Sequence, residues 1–398
     1  MAFKKPADSR SLLKKNNVRV KNSYYTFSKE YPVGNIGRNK KYARKRRGKK
    51  GVLTALAAVL CCLLVCFAAY FFVSVGLKIS YAPIPEQSSD SNKTGKVLLE
   101  NGMKAFYLPS DKIGDDKYIS KLIRTIIFND CNSVVIDFKT KSGKLIYSSQ
   151  NESAIVSNSL YDNETIRKVL SRFKNRNISV VAGIYCFEDD IAARSNDSYA
   201  VKYMNSKVKW LDSEAENEGR AWLNPYSKDA RSYIQDIIKE VSGFTVDAVI
   251  LKSVTFPNSG AYETAGYPGE KSKKTRNEQL LSFVQEVKGV LPEGCPLYIS
   301  QSANDTLTAN SKTTFGSLNA CAADGIVSDL SDRPSGYEVD RKTKFSSVLS
   351  LASLLKNAAG QKQNVIAIGY EEYSSKLLRT FNGNDYRSYI VYSESGEY

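Results

Sequence analysis

Histidine is absent from all 398 residues. That removes Ser-His-Asp and Cys-His catalysis, His-ligated zinc and imidazole acid–base work in one step. Any general acid or base is then a carboxylate, lysine, tyrosine or cysteine. The 7 cysteines show no C-x-x-C spacing, so neither a metal cluster nor a metal cofactor is expected. No glycine-rich phosphate loop follows a strand-like run and no G-x-x-x-x-G-K-[ST] occurs, so no nucleotide cofactor is expected either. Acids are scarce in residues 1–50, where Asp8 and Glu30 face 17 Lys and Arg, a net of +15 out of the formal +16. The remaining chain is close to neutral, and nucleic-acid binding by it is not expected.

That basic tail (1–50) is polar and aperiodic, and reads as disordered. Its sharpest piece, Arg38–Lys50, is a topogenic cluster beside a membrane span, with an anionic lipid headgroup, a nucleic acid or a cytoplasmic partner as the alternatives. Gly51–Leu77 follows, 27 residues without a charge. About 20 suffice to cross the hydrocarbon core, so a transmembrane helix is predicted over 51–77. A cleaved signal peptide would have a shorter apolar core. The charge asymmetry puts the amino terminus in the cytoplasm and everything after the span outside. Residues 78–101, with Pro83, Pro85 and Q-S-S-D-S-N-K-T-G, read as a stalk.

From residue 102 to 398 short apolar runs alternate with amphipathic stretches. Strands are predicted at Lys104–Leu108, Ser133–Asp137, Ile178–Tyr185, Asp247–Leu251, Leu297–Gln301, Gly325–Ser328, Val365–Gly369 and Tyr386–Tyr392. Helices are predicted at Asp116–Phe128, Asn163–Lys174, Ser227–Val241, Thr275–Val290 and Phe345–Ala358. Eight strands with interleaved helices make an α/β protein, a (β/α)8 TIM-barrel-like extracytoplasmic domain. An open doubly wound sheet is the alternative, because the last helices are weakly marked.

In such a barrel the functional residues follow the strands. After the second strand comes D-F-K-T-K-S-G, with Asp137 and Lys139. The third leads into Phe187, Glu188, Asp189 and Asp190, then an aromatic-rich connection with Trp210, Trp222, Asn224, Pro225 and Tyr226. The fourth, V-D-A-V-I-L-K-S-V-T-F-P, places Lys252, Ser253 and Thr255 at the mouth; the seventh is followed by Tyr370, Glu371 and Glu372. Aromatic faces beside carboxylates suit sugar rings and their hydroxyls. Several have a plainer reading. Trp222 and Tyr226 can pack the loop on the barrel, Glu371 and Glu372 can open a helix, and Glu188–Asp190 can be helix-start acids. Asp137 ends a buried run, so it is paired or functional.

N-S-V-V-I-D-F-K-T-K-S-G-K-L-I-Y, V-V-A-G-I-Y-C-F-E-D-D-I-A, the Trp210 region, R-A-W-L-N-P-Y and D-A-V-I-L-K-S-V-T-F-P together resemble the putative glycosyl hydrolase domain family, bacterial TIM-barrel proteins. The resemblance runs from about Met103 to Tyr398. It implies a glycoside-hydrolase-like barrel with Asp137, Asp189 and Glu188 as candidate catalytic acids. Lys139, Phe187, Trp210, Trp222, Asn224, Tyr226 and Lys252 are then candidates for substrate binding. The departures bear on the chemistry. Where the family's fourth strand ends in aspartate and tyrosine, with an arginine before Phe-Pro, this chain has Lys252, Ser253 and Thr255. The family's arginine after the third strand is Gly183. Glycoside hydrolysis takes two carboxylates, about 5–5.5 Å apart for retention or 6.5–9.5 Å for inversion. Losing the strand-four acid removes one member, and a lysine in its place is positioned to salt-bridge Asp137 or Asp189.

Three functions follow from these residues. One is a catalytically impaired domain that binds a polysaccharide or cell-wall glycan. Another is an active glycosidase using a remaining carboxylate pair. The third is a structural or signalling membrane protein whose barrel contacts another protein. Of the thiols, Cys295 and Cys321 precede neighbouring strands and are near enough in the plan to bridge, whereas Cys131 and Cys186 lie at opposite barrel ends. Reduced thiols are the default.

Overall fold

The computed structural model describes Leu64, Phe67 and residues 89–398, apart from 152–153, 155–158, 215–217, 271–273, 309–310, 341, 385, 394 and 396–397. The basic tail and the predicted span at 51–77 otherwise lie outside the described residues. No helix among the described residues is long and apolar enough to cross a membrane.

Strands β1 (Lys104–Leu108), β2 (Ser133–Lys139), β3 (Ser179–Tyr185), β5 (Ala248–Lys252), β7 (Leu297–Ser302), β8 (Gly325–Asp329), β9 (Gln363–Gly369) and β10 (Tyr389–Tyr392) form a closed parallel barrel in sequence order. Two further short strands, β4 (Lys202–Tyr203) and β6 (Ala265–Gly266), pair antiparallel in the loops after β3 and β5. The open-sheet alternative is excluded by the pairing of first strand with last, Lys104 with Tyr389 and Phe106 with Val391. This is the TIM-barrel architecture.

Helix α1 (Ser89–Asn101) precedes the barrel, and α2 (Asp116–Phe128), α3 (Asn163–Lys174), α4 (Asp190–Ser195), α5 (Lys228–Ser242), α6 (Arg276–Lys288), α7 (Ala303–Leu307), α8 (Ser346–Ala359) and α9 (Ser375–Gly383) lie between the strands. The helices that the sequence predicts well begin on strong caps. Asp115 accepts from the Lys117 and Tyr118 amides, Asp162 from Thr165, and Thr275 forms a capping box with Glu278. Helix α8 has no side-chain cap and starts from a left-handed Phe345 at φ 63°, yet it falls within one residue of the predicted Phe345–Ala358.

Alternation along the strands divides the apolar residues into two shells. Ala105, Val135, Val181, Ala248, Ile250, Tyr298, Val327, Val365 and Ile390 fill the barrel interior. Phe106, Val134, Val180, Val249, Ile299, Ile326 and Val391 face the helices. The segment read as the end of a stalk is instead helix α1, packed against the barrel floor. A Cβ on Gly95 would lie 2.4 Å from the Gly294 carbonyl and 2.8 Å from that of Asp247, so only glycine allows this approach. Leu98 is buried and joins the interior cluster with Met103 and Ala105. A helix this short, broken by glycine and flanked by polar residues, carries little periodic signal.

Leu98→Ala is expected to lower unfolding free energy by about 2–5 kcal/mol, the usual cost of emptying a buried leucine site. Urea denaturation of the two proteins measures it. An unchanged midpoint would mean that α1 does not contribute to the barrel's stability.

Candidate functional site

The C-terminal ends of the strands bring a ring of polar side chains above the apolar interior. Counting inward positions from Ala105, Val135, Val181, Ile250, Val327 and Ile390 by twos leads to Tyr107, Asp137, Tyr185, Lys252, Asp329 and Tyr392. At the centre, Lys252 Nζ lies 2.6 Å from Asp137 Oδ1, both side chains almost wholly buried. The Tyr107 hydroxyl donates to Asp137 Oδ2 at 2.9 Å. The Lys252 ammonium sits 5.1 Å from the Tyr107 ring centre, 5.1 Å from that of Tyr185 and 4.9 Å from that of Tyr392. Each such contact is worth about 0.5–2 kcal/mol.

Burial pulls the Lys252 ammonium down, but Asp137, with Tyr185 and Asp329 beside it, outweighs that and leaves it above the ordinary lysine value. Burial, reinforced by Asp137, pushes the Tyr107 hydroxyl far up; Tyr185 and Tyr392 are likewise raised by burial. Three neutral phenols therefore surround one ammonium–carboxylate pair. Lysine at its raised value is no nucleophile. Freeing Asp137 for acid–base work means leaving one buried charge unpaired, at about 3–5 kcal/mol. Gly183 makes this arrangement possible, since a Cβ there would lie 1.9 Å from Asp137 Oδ1.

A second buried pair lies on the other side of the wall. The β2–β3 register shifts between Asp137 and Lys139, so that Asp137 pairs with inward Gly183 and Lys139 with helix-facing Ile184. The bulge turns Lys139 outward. Its ammonium lies 2.8 Å from Asp189 Oδ2 with neither side chain exposed, and it donates to the Tyr185 carbonyl at 2.7 Å. Asp189 also caps α4 through the Ala192 amide at 2.8 Å and accepts from the Tyr233 hydroxyl at 3.2 Å. Lys139 and Asp189 are thus structural and do not reach the mouth.

The other expected residues divide similarly. Glu188 stays at the rim, accepting from Ser253 Oγ at 3.1 Å and pairing with Arg220 at 3.0 Å and Lys141 at 3.4 Å. Ser253 itself adopts a left-handed φ of 50° immediately after the barrel lysine. Phe187 is fully buried with its ring 4.8 Å from that of Phe283. Trp210 is fully buried and its indole N–H points to Ala261 O and Thr264 Oγ1. Trp222 donates to Asp212 Oδ2 at 3.3 Å. Asn224 donates to the Pro268 carbonyl at 2.9 Å and accepts from the Tyr226 amide, while the Tyr226 hydroxyl reaches Lys274 O. This aromatic segment packs the long loop onto the barrel instead of lining the mouth. Residues that line it with Lys252 and were not singled out from sequence include Tyr185, Ser300, Gln301, Ser302, Asp305, Asp329 and Tyr392. Inward strand parity was the signal that would have found the strand-borne members.

The cavity above Lys252 holds about 480 Å³. It shares Ser331, Gly369 and Tyr392 with a second cavity of about 880 Å³ that is also lined by Arg333, Tyr370, Glu371 and Glu372. Among the described residues no three Cys, Asp or Glu converge closely enough to hold a metal ion. Cys131, Cys186, Cys295 and Cys321 are free, so the Cys295–Cys321 bridge does not form. Burial pushes the Cys186 and Cys295 thiols up to about 12.

An eight-stranded parallel barrel with its polar centre at the C-terminal mouth is the scaffold on which many sugar-active enzymes are built. Residues 105–306 match the putative glycosyl hydrolase domain family, and the chain belongs to it. No curated protein sequence matches. Among solved structures, a hypothetical protein from Ruminiclostridium thermocellum ATCC 27405 is similar over 49% of this chain and 96% of its own, at 26% identity and a TM-score of 0.43. A Paenibacillus sp. cycloisomaltooligosaccharide glucanotransferase complexed with cycloisomaltoheptaose is similar over 67% of this chain at 14% identity and a TM-score of 0.45. An exo-β-N-acetylglucosaminidase from Vibrio harveyi is similar over 67% at 12% identity and a TM-score of 0.41. The chain spans 38% and 41% of the latter two proteins.

Lys252→Met strands Asp137 as a buried charge and is expected to cost about 3–5 kcal/mol, whereas adding Asp137→Asn restores much of that loss. Denaturant unfolding of both singles and the double variant tests this; additive costs would mean the pair is not coupled. A lysine raised on folding contributes stability that is complete below its unfolded value near pH 10.4 and is lost as pH climbs through the folded one. The gap between wild type and the double variant should therefore stay level from pH 7 to 9 and narrow only above pH 10.

Proposed function

We propose that this barrel binds a cell-envelope polysaccharide at its C-terminal mouth without hydrolysing it. The observation that carries the reading is the Lys252–Asp137 pair inside the tyrosine box. An ammonium occupies the position where the family resemblance calls for an acid, and it is paired with the Asp137 carboxylate at the centre of the mouth. Glu188 is neutralised at the rim and Asp189 is sealed behind the wall. A polar cleft with exposed tyrosine and serine edges remains, and it suits the hydroxyls and ring faces of sugars. On this reading the domain is held outside the cell by a single span at 51–77, with the basic tail inside; the charge distribution supports that orientation.

The test uses the full-length chain in mild detergent against a panel of envelope and plant polysaccharides, scored for binding and for new reducing ends. Binding without release is expected, weakened at least tenfold by Tyr370→Ala in the outer cavity. Release of sugar that disappears in Asp137→Asn or Asp329→Asn would instead establish an active glycosidase. Neither binding nor release would move the function to a protein partner.

A further inference from the structure

The two joined cavities at the mouth are unevenly charged. Among the described residues their walls carry Asp305, Asp329, Glu338, Glu371 and Glu372 against Lys252 and Arg333. Both cations are already committed, Lys252 to Asp137 at 2.6 Å and Arg333 to Glu372 at 2.7 Å. Among the described residues no cation lies within ion-pair distance of the other four acids. Asp329 accepts only the Ser331 amide, and Glu338 only that of Gly336. These carboxylates are spread along the cleft and do not converge as metal ligands would. Distributed negative charge of this kind repels an acidic polymer and favours one whose positive charges repeat.

Two further features bear on the ligand that this mouth takes. The first is the tyrosine box, which already holds an ammonium beside a carboxylate, so the mouth is built from groups that accommodate an amine cation. The second is Gln301 on the inner cavity wall, 7% exposed, whose Oε1 has no hydrogen-bond partner. Its orientation is fixed. Asn319 Nδ2 donates to the Thr306 and Ala358 carbonyls, so Asn319 Oδ1 must accept, and it takes Gln301 Nε2 at 2.8 Å. A buried acceptor left unpaired beside a cavity calls for a donor. A hydroxyl supplies one and an ammonium three, and the surrounding acids favour the ammonium.

We infer that the cleft recognises a polysaccharide bearing free amines, by class a de-N-acetylated hexosamine polymer. This rests on the glycan-binding reading above and narrows it. A neutral sugar would satisfy the hydroxyl-binding groups but bring no charge to Asp305, Glu338 and Glu371, which among the described residues have no cation within ion-pair distance. An N-acetylated one would also present a methyl group where the ammonium meets the acids.

The experiment compares four hexamers on the full-length chain in detergent at fixed ionic strength: glucosamine, N-acetylglucosamine, glucose and galacturonate. The tail, at +15, would attract the acidic oligomer and repel the amine, so any tail contribution runs against the expected order. The amine oligomer should bind at least tenfold more tightly than its N-acetylated form. That advantage should fall severalfold in the Asp329→Asn/Glu371→Gln variant, and also when the pH is raised until the amine is neutral. Equal affinity for the amine, acetylated and neutral oligomers, or a preference for the acidic one, overturns the inference while leaving glycan binding in place. Binding to none of the four or to any panel polysaccharide overturns both.

Discussion

The ion pair between Lys252 and Asp137 constrains most of what surrounds it. Two opposite charges in a nearly closed space are tolerable only when each is compensated by geometry as well as charge. Tyr107 takes the second carboxylate oxygen, three phenol rings face the ammonium, and a glycine at 183 leaves room for the carboxylate. None of these groups is free to change alone. The centre of the barrel mouth is thus taken up by the domain's own side chains.

The bulge in β2 explains how one strand supports two buried pairs without mixing them. By inserting a residue after Asp137 it sends Lys139 to the helix side, where Asp189 also caps α4 and meets Tyr233 of α5. Two acids that resemble catalytic partners by sequence are therefore divided by the sheet wall itself. The wall is about one side chain thick, but opposite faces of a strand do not share a cleft.

Much of the scaffold was legible in the sequence. Helices α2 and α3 and strand β1 fall on the predicted residues, because strong caps and clean periodicity mark them. The candidate site was legible only in part. Asp137 and Lys252 were found, since a charged residue closing an apolar run is conspicuous. Lys139, Asp189, Phe187 and the tryptophans were drawn into the site by their position after strands, yet the bulge and the long third loop bury them elsewhere. Tyr107, Tyr185 and Tyr392 looked like ordinary strand residues; only the parity of each strand reveals that they point inward. Helix α1 escaped notice because a glycine close contact, not an apolar stripe, seats it.

Gly183 has a consequence beyond packing. Any side chain introduced there meets the Asp137 carboxylate at 1.9 Å, so the arginine that the family resemblance suggests for this place cannot return while Asp137 and Lys252 remain as they are. Aspartate at 252 would set two carboxylates against each other; removing Asp137 would take from Lys252 the carboxylate that it touches at 2.6 Å. A change at any one of positions 137, 183 and 252 is therefore expected to call for changes at the other two. The three positions behave as one unit of design, so that a substitution scan made one residue at a time would underestimate what the mouth can accommodate.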